Sequence, residues 1–224
     1  MYFSKVFIKR IYSIGFLLVI ILLLLDLLAY FYYPRTIFSD IFLATREQTP
    51  LTWISSLALL LIAFSSFSVY LQKKEKVWYF LAIVFFFFSM DDATYFHERV
   101  SGFFVDNTSA LSFFPSYAWT VIYFPLWAFS LGAFVWLAWK DSFKSGRKVI
   151  ILALALLVFA EFLDFLDGFV GKSSGLVFCF DNFCNLAVLH FMRLTEEVLE
   201  VVSLGILGYV NIEEHCIIDK DEIA

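Results

Sequence analysis

Six apolar segments, each long enough to cross a lipid bilayer, constrain this chain more than any other feature. A membrane-spanning helix needs about 20 mostly apolar residues, and such segments recur along the whole chain. They lie at residues 11–33, 51–71, 77–98, 117–139, 148–170 and 186–210. The pattern predicts an all-α fold, in which residues 1–224 form a single integral membrane domain with six transmembrane helices and a short tail at 211–224.

Lysine and arginine predict the orientation of this polytopic bundle. Eleven of them flank the spans on one side, four lie on the other side, and Arg193 lies inside a span. Because positive residues stay on the cytoplasmic side, we expect both termini in the cytoplasm. The protein is predicted to be a multi-pass protein of the plasma membrane, specifically the bacterial inner membrane.

Composition restricts the partners of the chain. The hydrophobic fraction is 62% and the net charge is −5, and no basic stripe exists that could follow a nucleic acid backbone. The lipid bilayer is therefore the expected partner, and nucleic acid is excluded. Cys179 and Cys184 lie in a predicted outer loop on the oxidising side, where a disulfide between them is expected.

Ionisable residues interrupt four of the six spans. A charge at the centre of a membrane helix costs ~2.5–3.5 kcal/mol on insertion scales, so these positions need a functional or structural reason. At 1.5 Å per residue, the acids of the four spans reach a similar depth, roughly 20 Å from the cytoplasmic side for Asp26, Asp91 and Glu161. The sequence therefore predicts that these acids meet in the outer half of the bundle.

Helical phase orders the acids of the third span. At about 100° per residue, Asp91 and Glu98 share a face with Tyr95 between them. On a straight helix His97 and Asp92 point to opposite flanks of that face, so both could hardly be direct ligands.

The first interpretation is a metal-dependent membrane enzyme, a hydrolase or an oxidoreductase, acting on a lipid-like or membrane-delivered substrate. Clusters of carboxylates and histidines on facing helices can hold metal ions, and a divalent ion would offset the surplus of negative charge. The candidate ligands are Asp91, Glu98, Glu161, Asp164, His190, Glu196, Glu197 and Glu200, with Asp26, Asp92 and His97 as a second tier. Arg193 and Tyr95 are the catalytic candidates. The Glu-x-x-His pairs of ferritin-like sites are absent from the sequence.

Two alternatives stay open. In a proton- or cation-coupled transporter, the acids would bind or relay the ion. In a structural or accessory subunit, a buried polar network around Arg193 would fix the helix packing. Trp119, Tyr123 and Trp127 are interpreted as packing and interface residues, and the serines of the second span as helix-packing residues.

Three blocks, "SMDDATYFHERV", "EFLDFLDG" and "RLTEEVLEVVSLGIL", resemble a group of bacterial multi-pass membrane proteins without an established activity. That group carries Asp-Asp-x4-His-Glu, acidic-x-x-acidic-Gly and Glu-Glu-x-x-Glu in successive spans. The resemblance covers about the last two-thirds of the chain. At the position of Asp164, the group more often has glutamate. It implies shared polar positions at Asp91, Asp92, His97, Glu98, Glu161, Glu196, Glu197 and Glu200, and no particular reaction.

Overall fold

The computed structural model describes residues 5–33, 35–43, 49–107, 117–140, 146–172, 179–180, 183–184 and 186–216. Within these ranges the chain is almost entirely helical. The elements are α1 (Lys5–Tyr32), α2 (Ile37–Phe42), α3 (Pro50–Lys73), α4 (Lys76–Thr94), α5 (Phe96–Asn107), α6 (Ala118–Trp139), α7 (Arg147–Lys172), β1 (Cys179–Phe180), β2 (Phe183–Cys184) and α8 (Leu186–Cys216).

Five of the described helices, α1, α3, α4, α6 and α7, are long and apolar enough to cross a membrane. Each coincides with a span predicted from the sequence, which confirms the helical membrane character of the chain. The last predicted span corresponds to α8, which is 31 residues long. Its first half carries Arg193, Glu196, Glu197 and Glu200. By length and composition α8 is not among the helices that are apolar enough to cross a membrane.

The third predicted span needs a correction, because it is not one continuous helix over 77–98. Helix α4 ends at Thr94, and Tyr95 adopts a left-handed conformation with a φ of 53° before α5 begins at Phe96. The backbone N–H of Tyr95 still donates to the carbonyl of Asp91. A residue in this conformation ends a helix and redirects the chain, so α5 leaves the axis of α4.

The core is built from close contacts among α3, α4, α7 and α8. The most extensive helix contacts are those of α3 with α4, α7 with α8, and α3 with α8. Between membrane helices, close approach and hydrogen bonds replace the hydrophobic driving force, and Ser65 and Ser66 of α3 accept from the buried amide of Asn211 at 2.7 and 3.1 Å. The larger core side chains include Ile62, Trp78, Leu81, Phe134, Leu137, Ile150, Leu204 and Leu207.

Two further helices complete the bundle. Helix α6 contacts α4, α5 and α7, whereas α1 packs on the outside against α8 and α3. At one end of the bundle, Nζ of Lys140, after α6, lies 3.2 Å from Oε1 of Glu75 in the α3–α4 turn. The ends of α3 and α6 and the start of α4 therefore lie on the same side of the bundle. This agrees with the positive residues of the α3–α4 and α6–α7 connections, which predict one shared side.

The two short strands lie before α8. They pair antiparallel, with Cys179 opposite Cys184 and Phe180 opposite Phe183. Directly opposed residues of an antiparallel pair have Cα atoms about 4.5–5.5 Å apart, which is a separation that a disulfide can bridge. The backbone register is thus compatible with the Cys179–Cys184 disulfide, which stays a prediction.

Candidate functional site

A cavity of about 880 Å³ lies among α3, α4, α5, α6, α7 and α8. Nine carboxyl groups line it, and the described lining residues contain one arginine, Arg193, and one histidine, His97. The carboxyl groups belong to Asp91, Asp92, Glu98, Glu161, Asp164, Asp167, Glu196, Glu197 and Glu200. Tyr95 also lines the cavity. Three of the four acid-bearing spans therefore contribute acids to one cavity.

Asp91 and His97 form a hydrogen-bonded pair at the break between α4 and α5. The Nδ1 atom of His97 lies 2.7 Å from Oδ2 of Asp91, and the hydroxyl of Tyr123 donates to Oδ1 at 2.9 Å. Burial by itself lowers the pKa of His97, but the hydrogen bond and negative charge of Asp91 outweigh it and raise the pKa above its usual value. The carboxylate of Asp91 thus favours the protonated imidazole.

The side chain of Asp92 is hydrogen-bonded to α3. The hydroxyls of Ser55 and Ser56 both donate to Oδ2 of Asp92 at 2.6 Å. Because the helix breaks at Tyr95, Asp92 and His97 both line the cavity. The expectation that these two side chains diverge to opposite flanks assumed a straight helix and is corrected by the break.

Asp167 joins α6, α7 and α8 at a second point on the cavity wall. Its Oδ2 accepts from Nε and Nη2 of Arg193 at 3.0 and 2.8 Å and from the hydroxyl of Tyr117 at 2.8 Å. The Asp167 side chain is 4% exposed, and its Oδ1 has no hydrogen-bond partner among the described residues. One oxygen therefore receives three donors while the other receives none from the described part of the chain.

The remaining acids of α7 and α8 are half-buried along the cavity wall. Glu161 and Asp164 are three residues apart on α7, and Glu197 and Glu200 are three apart on α8, so each pair lies on one helical face. Oδ2 of Asp164 is buried and has no hydrogen-bond partner among the described residues. Within the described ranges, no group of three His, Cys, Asp or Glu side chains is arranged to hold a metal ion.

Two of the predicted site residues lie elsewhere. Nε2 of His190 lies 3.0 Å from Oδ2 of Asp26, and the ring of Tyr30 stacks on the imidazole at 4.1 Å between centroids. Both partners are nearly inaccessible, with side-chain exposures of 4% and 2%, and neither belongs to the described cavity lining. This pair connects α1 to α8, and a metal role for it stays a prediction.

Several cavity residues were not singled out as site residues from the sequence. Tyr117 and Tyr123 donate to Asp167 and Asp91, and Trp119 and Trp127 line the cavity. The available signal was spacing: Asp167 lies three residues after Asp164 on α7, and such residues are neighbours on a helix. Tyr123 and Trp127 lie on one face of α6 for the same reason, but the sequence does not identify the helix that this face contacts.

Fold and site together define a helical membrane protein whose bundle surrounds an acid-lined cavity. The chain belongs to the family described as Domain of unknown function (DUF8692), whose model matches residues 13–211. The matched region includes every described residue that lines the cavity. Neither the curated proteins nor the solved structures give a match to the chain.

Proposed function

We propose that this protein binds a divalent metal ion in the acid-lined cavity and acts as a metal-dependent enzyme on a lipid-like or membrane-delivered substrate. The observation that carries the proposal is the charge imbalance: nine carboxyl groups line one cavity together with one arginine and one histidine. Ionised carboxylates removed from bulk water need compensation by cations or protons. A divalent ion supplies that compensation directly.

The chemistry of the side chains favours a hard cation. Carboxylate oxygens suit Mg²⁺, Mn²⁺ and Ca²⁺ better than they suit softer metals, and the α7 and α8 acids Glu161, Asp164, Glu197 and Glu200 provide such oxygens on facing helices. Among the described residues no group of three His, Cys, Asp or Glu side chains is arranged to hold a metal ion, so the proposed ion would take several of its ligands from water, as Mg²⁺ usually does. His190, paired with Asp26, is left out of this ligand set.

A bound divalent ion would supply a Lewis acid and could activate water. Residues of the chain would supply proton exchange and orientation of the groups in the cavity. Asp91 orients the imidazole of His97, which can exchange a proton with a substrate in the cavity. Arg193, held by Asp167, orients the neighbouring acids, and Tyr95 lines the same cavity.

The membrane arrangement proposed with this function has six spans, with α8 as the sixth. The acids of α8 face the cavity, and charged side chains that face a bundle interior are compatible with a membrane helix. An even number of spans returns the C-terminus to the side of the N-terminus. By the distribution of lysine and arginine this side is the cytoplasm, and the membrane is the bacterial inner membrane.

A cation-coupled transporter is the second candidate function. It is favoured by the succession of acids along α7 and α8 that line the cavity. Carboxylates spaced along a path can pass a proton or cation between them. This candidate predicts ion flux in proteoliposomes that is abolished by Glu197→Gln.

Metal analysis of the detergent-purified protein tests the first proposal. We expect a divalent metal in near-stoichiometric amount, lost in Glu197→Gln and retained in Glu75→Gln, whose carboxylate pairs with Lys140 outside the cavity. Negligible metal in the wild type, together with flux in proteoliposomes, would favour transport. Negligible metal without flux, and a lower Tm for Glu197→Gln, would favour a structural role.

A further inference from the structure

One edge of the cavity consists of apolar side chains that also lie on the exterior of the bundle. Val121 and Phe124 of α6 and Val158 and Phe162 of α7 all line the cavity. Their exposed fractions are 40%, 62%, 47% and 50%. Because α6 and α7 are two of the helices suited to cross a membrane, exposed apolar side chains on them face hydrocarbon. These four residues therefore mark where the cavity meets the lipid.

The packing of α6 explains why the opening lies there. Helix α7 makes far more extensive contact with α8 than with α6, and α3 is similarly closely packed on α4. Where two membrane helices diverge, lipid or a ligand must fill the space between them, since protein interiors leave few voids. The gap between α6 and α7 is thus an entrance of hydrocarbon character that leads to carboxylates.

The charge of the cavity selects the head group of whatever enters. Nine carboxyl groups line the cavity against one arginine and one histidine, and Arg193 is already paired with Asp167, so the side chains of the wall offer an anionic head group little positive charge. An ammonium has three donors and no acceptor. Oδ2 of Asp164 and Oδ1 of Asp167 are buried acceptors with no hydrogen-bond partner among the described residues, and both side chains belong to the cavity wall.

We propose that the cavity takes up a single-chain lipid with an amine head group from the bilayer through the α6–α7 opening. The ammonium lies between Asp164 and Asp167, the aromatic wall of Trp119 and Trp127 flanks it, where cation–π contacts are favourable, and the alkyl chain extends past Phe124 and Phe162. A volume of about 880 Å³ is in the range of small-molecule sites. The inference deepens the proposed function by naming the class of its substrate.

Binding of radiolabelled tetradecylamine to the purified protein in a neutral detergent, followed by scintillation proximity, tests this. We expect saturable binding that unlabelled tetradecylamine competes and that tetradecanol and tetradecanoate do not. Val158→Trp should fill the entrance and weaken binding about tenfold or more, a change of ~1.4 kcal/mol. The matched control is Val149→Trp on the same helix, since Val149 is exposed but does not line the cavity; it should bind as the wild type does.

Equal competition by the alcohol, or equal binding by Val158→Trp and Val149→Trp, would overturn the inference. If Val158→Trp does not fold, Val158→Phe narrows the same entrance with a smaller side chain, and Asp167→Asn, which changes no proposed metal ligand, should weaken binding through the head-group site. Metal content measured on the same samples keeps the two proposals apart. Amine binding without metal refutes the metal site alone, whereas metal without amine binding refutes the lipid entrance alone.

Discussion

The Nδ1 atom of His97 lies 2.7 Å from Oδ2 of Asp91, although the two residues are six positions apart in the sequence. On a straight helix that spacing would place their side chains about 120° apart around the helix axis. The contact exists because Tyr95 takes a left-handed conformation and ends α4. A local backbone feature thus assembles the histidine–carboxylate pair of the cavity.

We expect His97 to make stability depend on pH. Its pKa is raised in the folded protein above the unfolded value, because the attraction of Asp91 outweighs burial. The stabilisation by the protonated imidazole is therefore fully present below the unfolded pKa of about 6.5 and is lost as pH rises through the folded pKa. The excess Tm of the wild type over His97→Gln should be largest at about pH 6 and should shrink towards alkaline pH.

The control for this prediction is Tyr123→Phe, which removes a donor to Asp91 without removing the imidazole. Its Tm deficit should vary much less between about pH 6 and pH 8. A His97→Gln deficit that stays constant or grows with rising pH would show that protonation of His97 does not stabilise the fold.

The left-handed conformation at Tyr95 predicts an unusual order of substitutions. Tyr95→Gly and Tyr95→Ala both lose the phenol, but only glycine adopts a positive φ without strain, so Tyr95→Gly should be more stable by about 1 kcal/mol. Two residues earlier, in the regular part of α4, Ala93→Gly should instead destabilise by about 0.5–1 kcal/mol. Reversible unfolding in one detergent measures both; Tyr95→Ala matching or exceeding Tyr95→Gly would argue against the break.

The hydroxyls of Ser55 and Ser56 share one acceptor, Oδ2 of Asp92. Each single change to alanine should lower the free energy of unfolding by about 1–2 kcal/mol, because a hydrogen bond to a carboxylate is lost. The double variant should be worse than the sum, since it removes both donors from one carboxylate oxygen. Ser68→Ala, at a partly exposed α3 position whose hydroxyl donates to the carbonyl of Phe64, should change little. Strict additivity would mean that the two serines act independently.

Arg193 and Asp167 should be coupled more strongly than either is to the rest of the bundle. Arg193→Gln removes two donors from a carboxylate that is 4% exposed and should destabilise by up to about 3 kcal/mol, an effect moderated by the 39% exposure of the arginine side chain. Adding Asp167→Asn should restore part of that loss, because no unpaired charge is left behind. A double-mutant cycle measures the coupling, and a double variant less stable than Arg193→Gln alone would contradict it.

Local sequence patterns predicted most of the helices but only part of the site. A long apolar segment predicts a membrane helix, and Thr49 followed by Pro50 marks the start of α3. Both signals act within a few residues. The break at Tyr95 has no such signal, because tyrosine does not indicate a left-handed turn, unlike glycine or asparagine. The depth estimate predicted that the acids of four spans would meet, and acids of three of these spans line one cavity.

Pairing between distant helices was beyond a single sequence. Asp26 and His190 are 164 positions apart, and their contact depends on α1 packing against α8 rather than closing the ring of helices around the cavity. The height of Asp26 along its predicted span therefore did not identify His190 as its partner. In the same way, Tyr117 and Tyr123 could be recognised as donors to Asp167 and Asp91 only once α6 was positioned beside α4 and α7.

The proposed function depends on the binding of a divalent cation by the surplus carboxylates of the cavity. Titration of the purified protein with Mn²⁺, followed by loss of the electron paramagnetic resonance signal of the free hydrated ion, tests it most directly. We expect saturable binding of Mn²⁺ that Mg²⁺ competes, that Glu197→Gln abolishes and that Glu75→Gln leaves unchanged. Mn²⁺ that stays free in the wild type, or binding that is the same in Glu197→Gln, would contradict it.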